Sequence, residues 1–364
     1  MRQGDPVRMA NEKATEMLQV GIVGASGYGG GELMRLLSRH SHARVGVAVS
    51  ETYKGAPIST AWPGMAGQSD LRFQTYGDGA EVAQCDVVFL AMENGRAMDT
   101  APHLLDAGCK VIDLSADFRF HDVGVYKTWY AKDHAAPEWA GRAVYGLPEL
   151  NREATRSARI VGNPGCYPTA SILGLAPLIA GGIVDLNSVI VDAKSGVSGA
   201  GRSKFALEYH YPEVNESVSA YKVAGTHRHT AEIEGALGTL AGADTPITFT
   251  PHLIPMTRGI MATCYATINS GQTAEDLLSV YTRHYAAHPF VVVLEQGLPA
   301  TEHTLGSNRC HIGLAVDARM KRVTVVSVID NLIKGMAGQA IQNMNLMCGF
   351  PETAGLDDIG GLWP

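Results

Sequence analysis

The sequence predicts an α/β protein of two parts: a doubly wound first domain built on a parallel sheet, then an α+β domain whose sheet is mostly antiparallel. Three observations carry this. The chain has 364 residues, more than one ordinary domain of roughly 150 requires. Short apolar runs alternate with helix-patterned stretches in its first half, the texture of a doubly wound sheet. From about Ser188 long β-type runs follow with little helix between the later ones.

Taken in order, Leu18–Val23 reads as a buried strand, and the glycine-rich stretch from Gly24 to Gly31 leads into a helix over Glu32–Leu37. Val45–Val49 is a second strand, Cys85–Ala91 and Val111–Leu114 are further strands, and a helix lies between them near Ala101–Ala107. A helical stretch is predicted over Ala170–Ile179, after a short apolar run at Arg159–Val161. The later strands are Ser188–Val191, Ile247–Ile254, Ile260–Ile268, Phe290–Leu294, His311–Val316 and Val323–Ile329.

Composition narrows the function classes. Lys and Arg number 29 against 36 Asp and Glu, a net charge of −7, so the cationic excess of a nucleic-acid binder is missing and no nucleic-acid partner is expected. The longest apolar run, residues 170–184, is interrupted by Pro177 and Gly181-Gly182, which argues against a membrane span. Six cysteines without a CxxC pair suggest neither a disulfide framework nor a zinc ribbon, and point to a reducing, cytoplasmic setting. Residues 1–16 mix both charges without an apolar core, so they read as a disordered extension and not a signal peptide, with Met17 an alternative start. Glycine is the outlier, at 41 residues, clustered between apolar runs where backbone approaches a ligand or takes positive φ.

Three motifs carry chemistry. The first is Gly24-Ala-Ser26-Gly27-Tyr28-Gly29-Gly30 between a strand and a helix. Glycines there let the backbone approach a pyrophosphate, and the helix N-terminus faces it, so the context indicates a dinucleotide site. After the second strand, Ser50 and Lys54 suit a 2′-phosphate, whereas Glu51 would suit a ribose 2′-hydroxyl; NADP(H) is favoured. The second motif, Gly162-Asn-Pro-Gly-Cys166-Tyr-Pro-Thr169, places Cys166 at a helix N-terminus, where a thiol loses its proton more easily. For the other five cysteines inert burial is the expectation. The third, Gly225-Thr-His227-Arg-His229-Thr-Ala-Glu232, puts two imidazoles at the start of a helix, where the neutral form is favoured and a general base is available. Two histidines capping a helix, or an HxH metal pair, are the competing readings; no third ligand stands at metal spacing, so no metal is expected. If the segment is extended, His227 and His229 face opposite ways and only one can face Cys166.

With these residues in view the chain resembles the N-acetyl-γ-glutamyl-phosphate reductase family, relatives of aspartate-semialdehyde dehydrogenase. The matching segments are GASGYGG (24–30), DLSADFR (113–119), YGLPE (145–149), GNPGCYPT (162–169), DAKSGVSGAGR (192–202), GTHRHTAE (225–232), PMTRGI (255–260) and DNLIKGMAGQAIQNMN (330–345), in order along residues 18–364. One segment departs: where the family usually has Leu-Pro-His-Gly, this chain has Met92-Glu93-Asn94-Gly95. Gly95 keeps the turn, and no cofactor contact is carried over from that loop.

The resemblance implies a Rossmann-type NADP-binding domain over 17–165, a catalytic and dimerisation domain over 166–329, and a C-terminal helix over 330–364 that returns to the first domain. It implies a homodimer or homotetramer and a small acyl-phosphate substrate. Cys166 is then the nucleophile, and His227 or His229 the acid/base, with His227 narrowly favoured. Asn331 and Gly335 are expected near the nicotinamide. Arg119, Asn163, Ser195, Arg202 and Arg258 are expected to bind substrate, with Lys194 beside them. The implied reaction is NADPH-dependent reduction of N-acetyl-γ-glutamyl phosphate through a cysteine thioester, in arginine biosynthesis. Alternatives are a carrier-linked α-aminoadipyl-phosphate reductase of lysine biosynthesis, a dehydrogenase of the glyceraldehyde-3-phosphate type, whose cysteine segment reads differently, and a non-catalytic NADP-binding sensor.

Overall fold

The computed structural model describes residues 17–357 and 360. The extension expected at 1–16, and residues 358–359 and 361–364 of the C-terminal segment, lie outside the described residues. The first sheet holds β1 (Leu18–Val23), β2 (Ala43–Val49), β3 (Phe73–Gln74), β4 (Val87–Leu90), β5 (Lys110–Asp113), β6 (Val144–Tyr145) and β7 (Ile160–Gly162). Its order is β3-β2-β1-β4-β5-β7-β6, and every pairing is parallel. The continuous apolar run of β4 follows from burial on both faces: Val87 and Phe89 pack into one core, Val88 and Leu90 into the other. The chain reverses direction across the sheet between β1 and β4, the topological position where doubly wound sheets open a ligand crevice.

The second sheet comprises β8 (Ile190–Ser195), β9 (Ser219–Ala220), β10 (Thr248–Leu253), β11 (Ile260–Thr267), β12 (Val291–Val293), β13 (Cys310–Asp317) and β14 (Arg322–Ile329). They run in the order β12-β13-β14-β11-β8-β10-β9. Four of the six pairings are antiparallel, while β8–β10 and β12–β13 are parallel. Strand alternation divides the faces: Val191, Ala193, Ala262 and Cys264 point into a core filled by the helix Cys166–Ala180, while Asp192, Lys194, Met261 and Tyr265 point the other way.

Two elements differ from the sequence reading. The first helix spans Tyr28–Leu37, starting inside the glycines and not at Glu32. The glycines allow this because a Cβ at Gly30 would sit 2.5 Å from Ala25 Cα and one at Gly31 2.4 Å from the Trp62 ring. A helix at Ala274–Tyr285 lies between β11 and β12, where little helix was expected. It starts at a reciprocal cap between Thr273 and Asp276 and buries Leu277, Tyr281 and Tyr285, four residues apart. The helix Gly338–Cys348 returns to the first sheet, placing Ala340, Ile341, Met344 and Met347 in a core shared with Val20 and Ile22.

Candidate active site

The glycine loop leaves β1 at Gly24, whose φ of +87° and 2.1 Å approach of a would-be Cβ to the Ala91 carbonyl admit only glycine. Gly27 precedes the helix, and no side chain caps it; the first N–H groups therefore present themselves to an anion. A Cβ on Gly29 would meet Met336 Sδ at 2.6 Å, bringing the C-terminal segment against the loop. Ser26 Oγ and Ser50 Oγ are 2.8 Å apart, joining this loop to the end of β2, and Lys54 is exposed close by in sequence. Glu51 accepts the Tyr76 N–H at 2.9 Å. These residues fit a nicotinamide dinucleotide: a bare helix N-terminus, a glycine cradle that a Cβ would fill, and hydroxyls beside it.

Cys166 is the first residue of a 15-residue helix whose body is almost wholly buried. The preceding loop is held by close approaches, since a Cβ at Gly162 would lie 2.1 Å from the Phe118 carbonyl oxygen. Glu232, from the third motif, anchors it. One carboxylate oxygen accepts the Gly165 N–H at 2.8 Å and the Tyr145 hydroxyl at 2.9 Å, and the other pairs with Arg119 at 3.0 Å. Arg119 also donates to the carbonyls of Asn163, at 2.7 Å, and Leu114, at 3.0 Å. On the other side, a Cβ at Gly335 would lie 2.8 Å from Cys166 Cβ; Gly335 belongs to a π-type turn, Ile333–Ala337, that brings the chain over the cysteine.

A cleft of about 460 Å³ is lined by Cys166, Ser195, His227, His229, Arg119 and Asn94 among others. The expectation that the two histidines face apart is corrected: Arg228 between them is helical, with φ −58° and ψ −28°, so the segment turns and the rings lie 4.9 Å apart on one cleft. The His229 N–H donates to His227 Nδ1 at 3.1 Å. A Cβ on Gly165 would sit 2.6 Å from His229 Nε2, so this ring, and not His227, abuts the turn before the cysteine. Burial lowers His227 to about 4, with Lys222 and Arg228 adding to it. Burial, then His227 and Arg119, hold His229 well below the ordinary range. Both imidazoles are therefore neutral at neutral pH, the form a general base requires, while the same burial weakens them as bases.

Burial also pushes the Cys166 thiol up to about 11, against the Tyr167 N–H and the Arg119 guanidinium, which pull it down. The helix N-terminus alone therefore does not deliver the thiolate that the sequence anticipates; a base must take the proton.

The remaining expected contacts divide. Ser195 lines the Cys166 cleft. Arg202 and Arg258 line an adjoining cleft of about 720 Å³ with Tyr28. There Arg202 lies 4.5 Å over the Trp62 ring and donates to the Ser26 carbonyl at 3.1 Å. Arg258 pairs with Glu32 at 2.7 Å and Asp330 at 3.2 Å, so its charge is answered within the fold. Asn163 is wholly buried, bonding the Met336 carbonyl and Asn343, each at 3.1 Å; enclosure rules out the substrate contact expected of it. Asn331 is likewise enclosed, accepting from the Gly259 N–H at 2.7 Å and donating to Ser198 Oγ at 3.0 Å. Lys194, by strand alternation, points away from the Ser195 side and pairs with Asp192 at 3.0 Å. In the departing loop, Gly95 has φ +84° and its N–H donates to Asp117 at 2.7 Å, while Asn94 reaches the cleft.

Residues 19–158 match the family described as "Semialdehyde dehydrogenase, NAD binding domain", and residues 166–331 match "Semialdehyde dehydrogenase, dimerisation domain". The chain is 53% identical over 348 residues to the N-acetyl-gamma-glutamyl-phosphate reductase of Symbiobacterium thermophilum, covering 95% of this chain and 99% of that protein. To the reductase of the same name from Syntrophobacter fumaroxidans it is 50% identical, covering 94% and 98%. This chain belongs to the N-acetyl-γ-glutamyl-phosphate reductase family. It is therefore an oxidoreductase with a nicotinamide-cofactor domain. The fold is also that of aspartate semialdehyde dehydrogenase II of Vibrio cholerae, solved with ASA, at a TM-score of 0.70 and 16% identity over 92% of this chain and 99% of that one. The Candida albicans enzyme, solved with NADP, gives 0.68 and 15% over the same shares.

Among the described residues no group of three or more His, Cys, Asp or Glu could hold a metal, and no helix is long and apolar enough to cross a membrane. Motif reading gave no role to Glu232 and Arg228, quoted only as part of their segment, or to Lys204 and Lys222; Lys204, Lys222 and Arg228 line the Cys166 cleft. Reach to Glu232 depends on Arg119, 113 positions earlier, and no local pattern announces it.

Proposed function

We propose that this chain reduces N-acetyl-γ-glutamyl phosphate to N-acetylglutamate 5-semialdehyde and phosphate with NADPH, the arginine-biosynthetic reaction for which its relatives are named. The observation that carries this is one cleft holding a helix-initial cysteine and two neutral imidazoles, with a glycine loop leading to an uncapped helix N-terminus on the same chain. His229, whose ring abuts the turn before Cys166, accepts the thiol proton. The Cys166 sulfur then bonds to the acyl carbon, the bond from that carbon to the phosphate oxygen breaks, and a thioester remains on the enzyme. The nicotinamide cofactor, when bound, supplies hydride chemistry. After reduction the sulfur–carbon bond of the thiohemiacetal alkoxide breaks as the aldehyde carbonyl forms, and the imidazolium returns its proton to the Cys166 thiolate that is released. Ser50, Ser26 and Lys54 favour the 2′-phosphate of NADP(H), because Glu51, the residue suited to a free 2′-hydroxyl, is engaged by the Tyr76 N–H.

NADP⁺ reduction by the purified protein with N-acetylglutamate semialdehyde and phosphate tests the reading. Phosphate-dependent formation of NADPH is expected; a rate indifferent to phosphate, or turnover only with aspartate semialdehyde, would refute it. The uncovered face of the second sheet, carrying Asp192, Lys194, Met261 and Tyr265, supports assembly of two copies through this domain. A dimer or tetramer in sedimentation is expected, and a monomer at working concentration would count against it.

A further inference from the structure

We propose that Lys204, Lys222 and Arg228 form the anion-recognition set of the Cys166 cleft, with Lys222 and Arg228 taking the phosphoryl group and Lys204 the carboxylate of an acyl-phosphate substrate. The inference rests on the reaction assigned above but replaces Arg119 and Arg258, which the fold pairs internally, while Arg202 lines the adjoining cleft. The three come from separate segments and line the same cleft as Cys166. Each side chain is exposed, and among the described residues none has a carboxylate within salt-bridge reach, although Glu208 lines the same cleft.

Neighbouring cations are already answered: Arg119 by Glu232, Arg258 by Glu32 and Asp330, Lys194 by Asp192. A buried or half-buried cation paired inside the fold has little left for a ligand, whereas unpaired cations converging on a cleft attract one.

The local backbone supports the same reading. Lys222 has φ +47° and Ala224 φ +56°, a left-handed conformation that non-glycine residues adopt at a cost and that gathers at ligand-binding turns. The Arg228 guanidinium lies 5.1 Å over the Tyr130 ring, fixed at the cleft wall. The ammonium of Lys222 is lowered by burial, then by Arg228 and Lys204, so the three charges repel one another until an anion enters. Lys222 and Arg228 also depress both histidines. Arg228 stands between the two histidines where their helix starts and Lys222 is on the segment leading into it. These two are therefore assigned the phosphate beside the acid/base pair, and Lys204, which also lines the adjoining cleft, the carboxylate.

The test uses the full chain and inorganic phosphate as probe. Protection of Cys166 from iodoacetamide is measured as phosphate is raised, for the unaltered chain and for Lys204→Ala, Lys222→Ala, Lys222→Arg and Arg228→Ala. Lys222→Ala and Arg228→Ala should each raise the half-protecting phosphate concentration about tenfold or more, the scale of one charge-assisted contact. Lys222→Arg should restore protection, and Lys204→Ala should leave it within about twofold while raising KM for the semialdehyde about tenfold. Absence of phosphate protection in the unaltered chain, or alanine variants of Lys222 and Arg228 that match it within about twofold, would overturn the proposal. If the unaltered chain binds phosphate in this way yet does not turn over N-acetyl-γ-glutamyl phosphate, the reaction assignment fails and the anion site stands.

Discussion

Replacing Glu232 with glutamine tests whether the nucleophile's loop is held by a buried charge. The carboxylate is 3% exposed and receives three donors: Arg119 Nη1, the Tyr145 hydroxyl and the Gly165 N–H. Glutamine keeps the volume and one acceptor oxygen, so the contacts to Tyr145 and Gly165 can persist. Its amide nitrogen, however, would face the Arg119 guanidinium donor to donor. That leaves a buried cation whose remaining protein partners are two carbonyls. Removing one member of a buried pair costs about 3–5 kcal/mol. The loop it holds ends at Cys166, and a shift of about 1 Å at a reacting atom costs on the order of 100-fold in rate. Urea denaturation and steady-state kinetics are the assays. Glu232→Gln should unfold at clearly lower urea and lose kcat, while NADPH affinity stays near that of the unaltered chain, because the glycine loop makes no contact with Glu232. An unchanged denaturation midpoint together with unchanged kcat would refute the argument.

Other outcomes follow from the same geometry. Cys166→Ser should abolish turnover while retaining NADPH binding, as fluorescence titration would show; near-normal activity would sink the thioester. His229→Asn should depress kcat and flatten the acid limb of the pH profile, whereas His227→Asn should mainly raise KM, and the reverse pattern would assign the proton to His227. Lys54→Ala should weaken NADPH far more than NADH, and equal weakening would move the discrimination to Glu51. His227, held down at about 4 by burial against an unfolded value near 6.5, contributes stability that is full above pH ~6.5 and lost as pH falls toward 4, up to about 3 kcal/mol. Denaturation midpoints at pH 7 and 5 should therefore converge in His227→Asn more than in the unaltered chain.

The parallel sheet was legible because its strands are short, uniformly apolar and punctuated by glycine, as at Val87–Leu90. The position of Cys166 was legible because Gly165 and Pro168 bracket a helix start. What escaped the sequence was side-chain allegiance. Arg119, Arg258 and Asn163 all look like ligands in a motif, since a charged or amide residue in a glycine loop has no visible partner until the chain is folded. Their partners are 113, 226 and 180 positions away. The orientation of the histidines escaped for a smaller reason. One residue, Arg228, takes helical φ/ψ and not extended, and that moves both rings to the same side.

That same difference in partnership explains how the site can be rigid and still bind a highly charged substrate. Charges that position the loop are neutralised inside the protein: Glu232 by Arg119 beneath Cys166, and Lys334 by Glu149 at 2.7 Å in the segment that carries Gly335. Buried pairs of this kind resist displacement because separating them exposes an uncompensated ion to a low-dielectric interior. A substrate phosphate entering the cleft therefore does not compete for Arg119, since taking it would strand Glu232 with only two neutral donors. The phosphate meets cations that, among the described residues, have no carboxylate partner, on exposed segments lining the cleft. Recognition and positioning are thereby kept on separate charges, and the anion can depart with the leaving group without loosening the loop that holds the thioester.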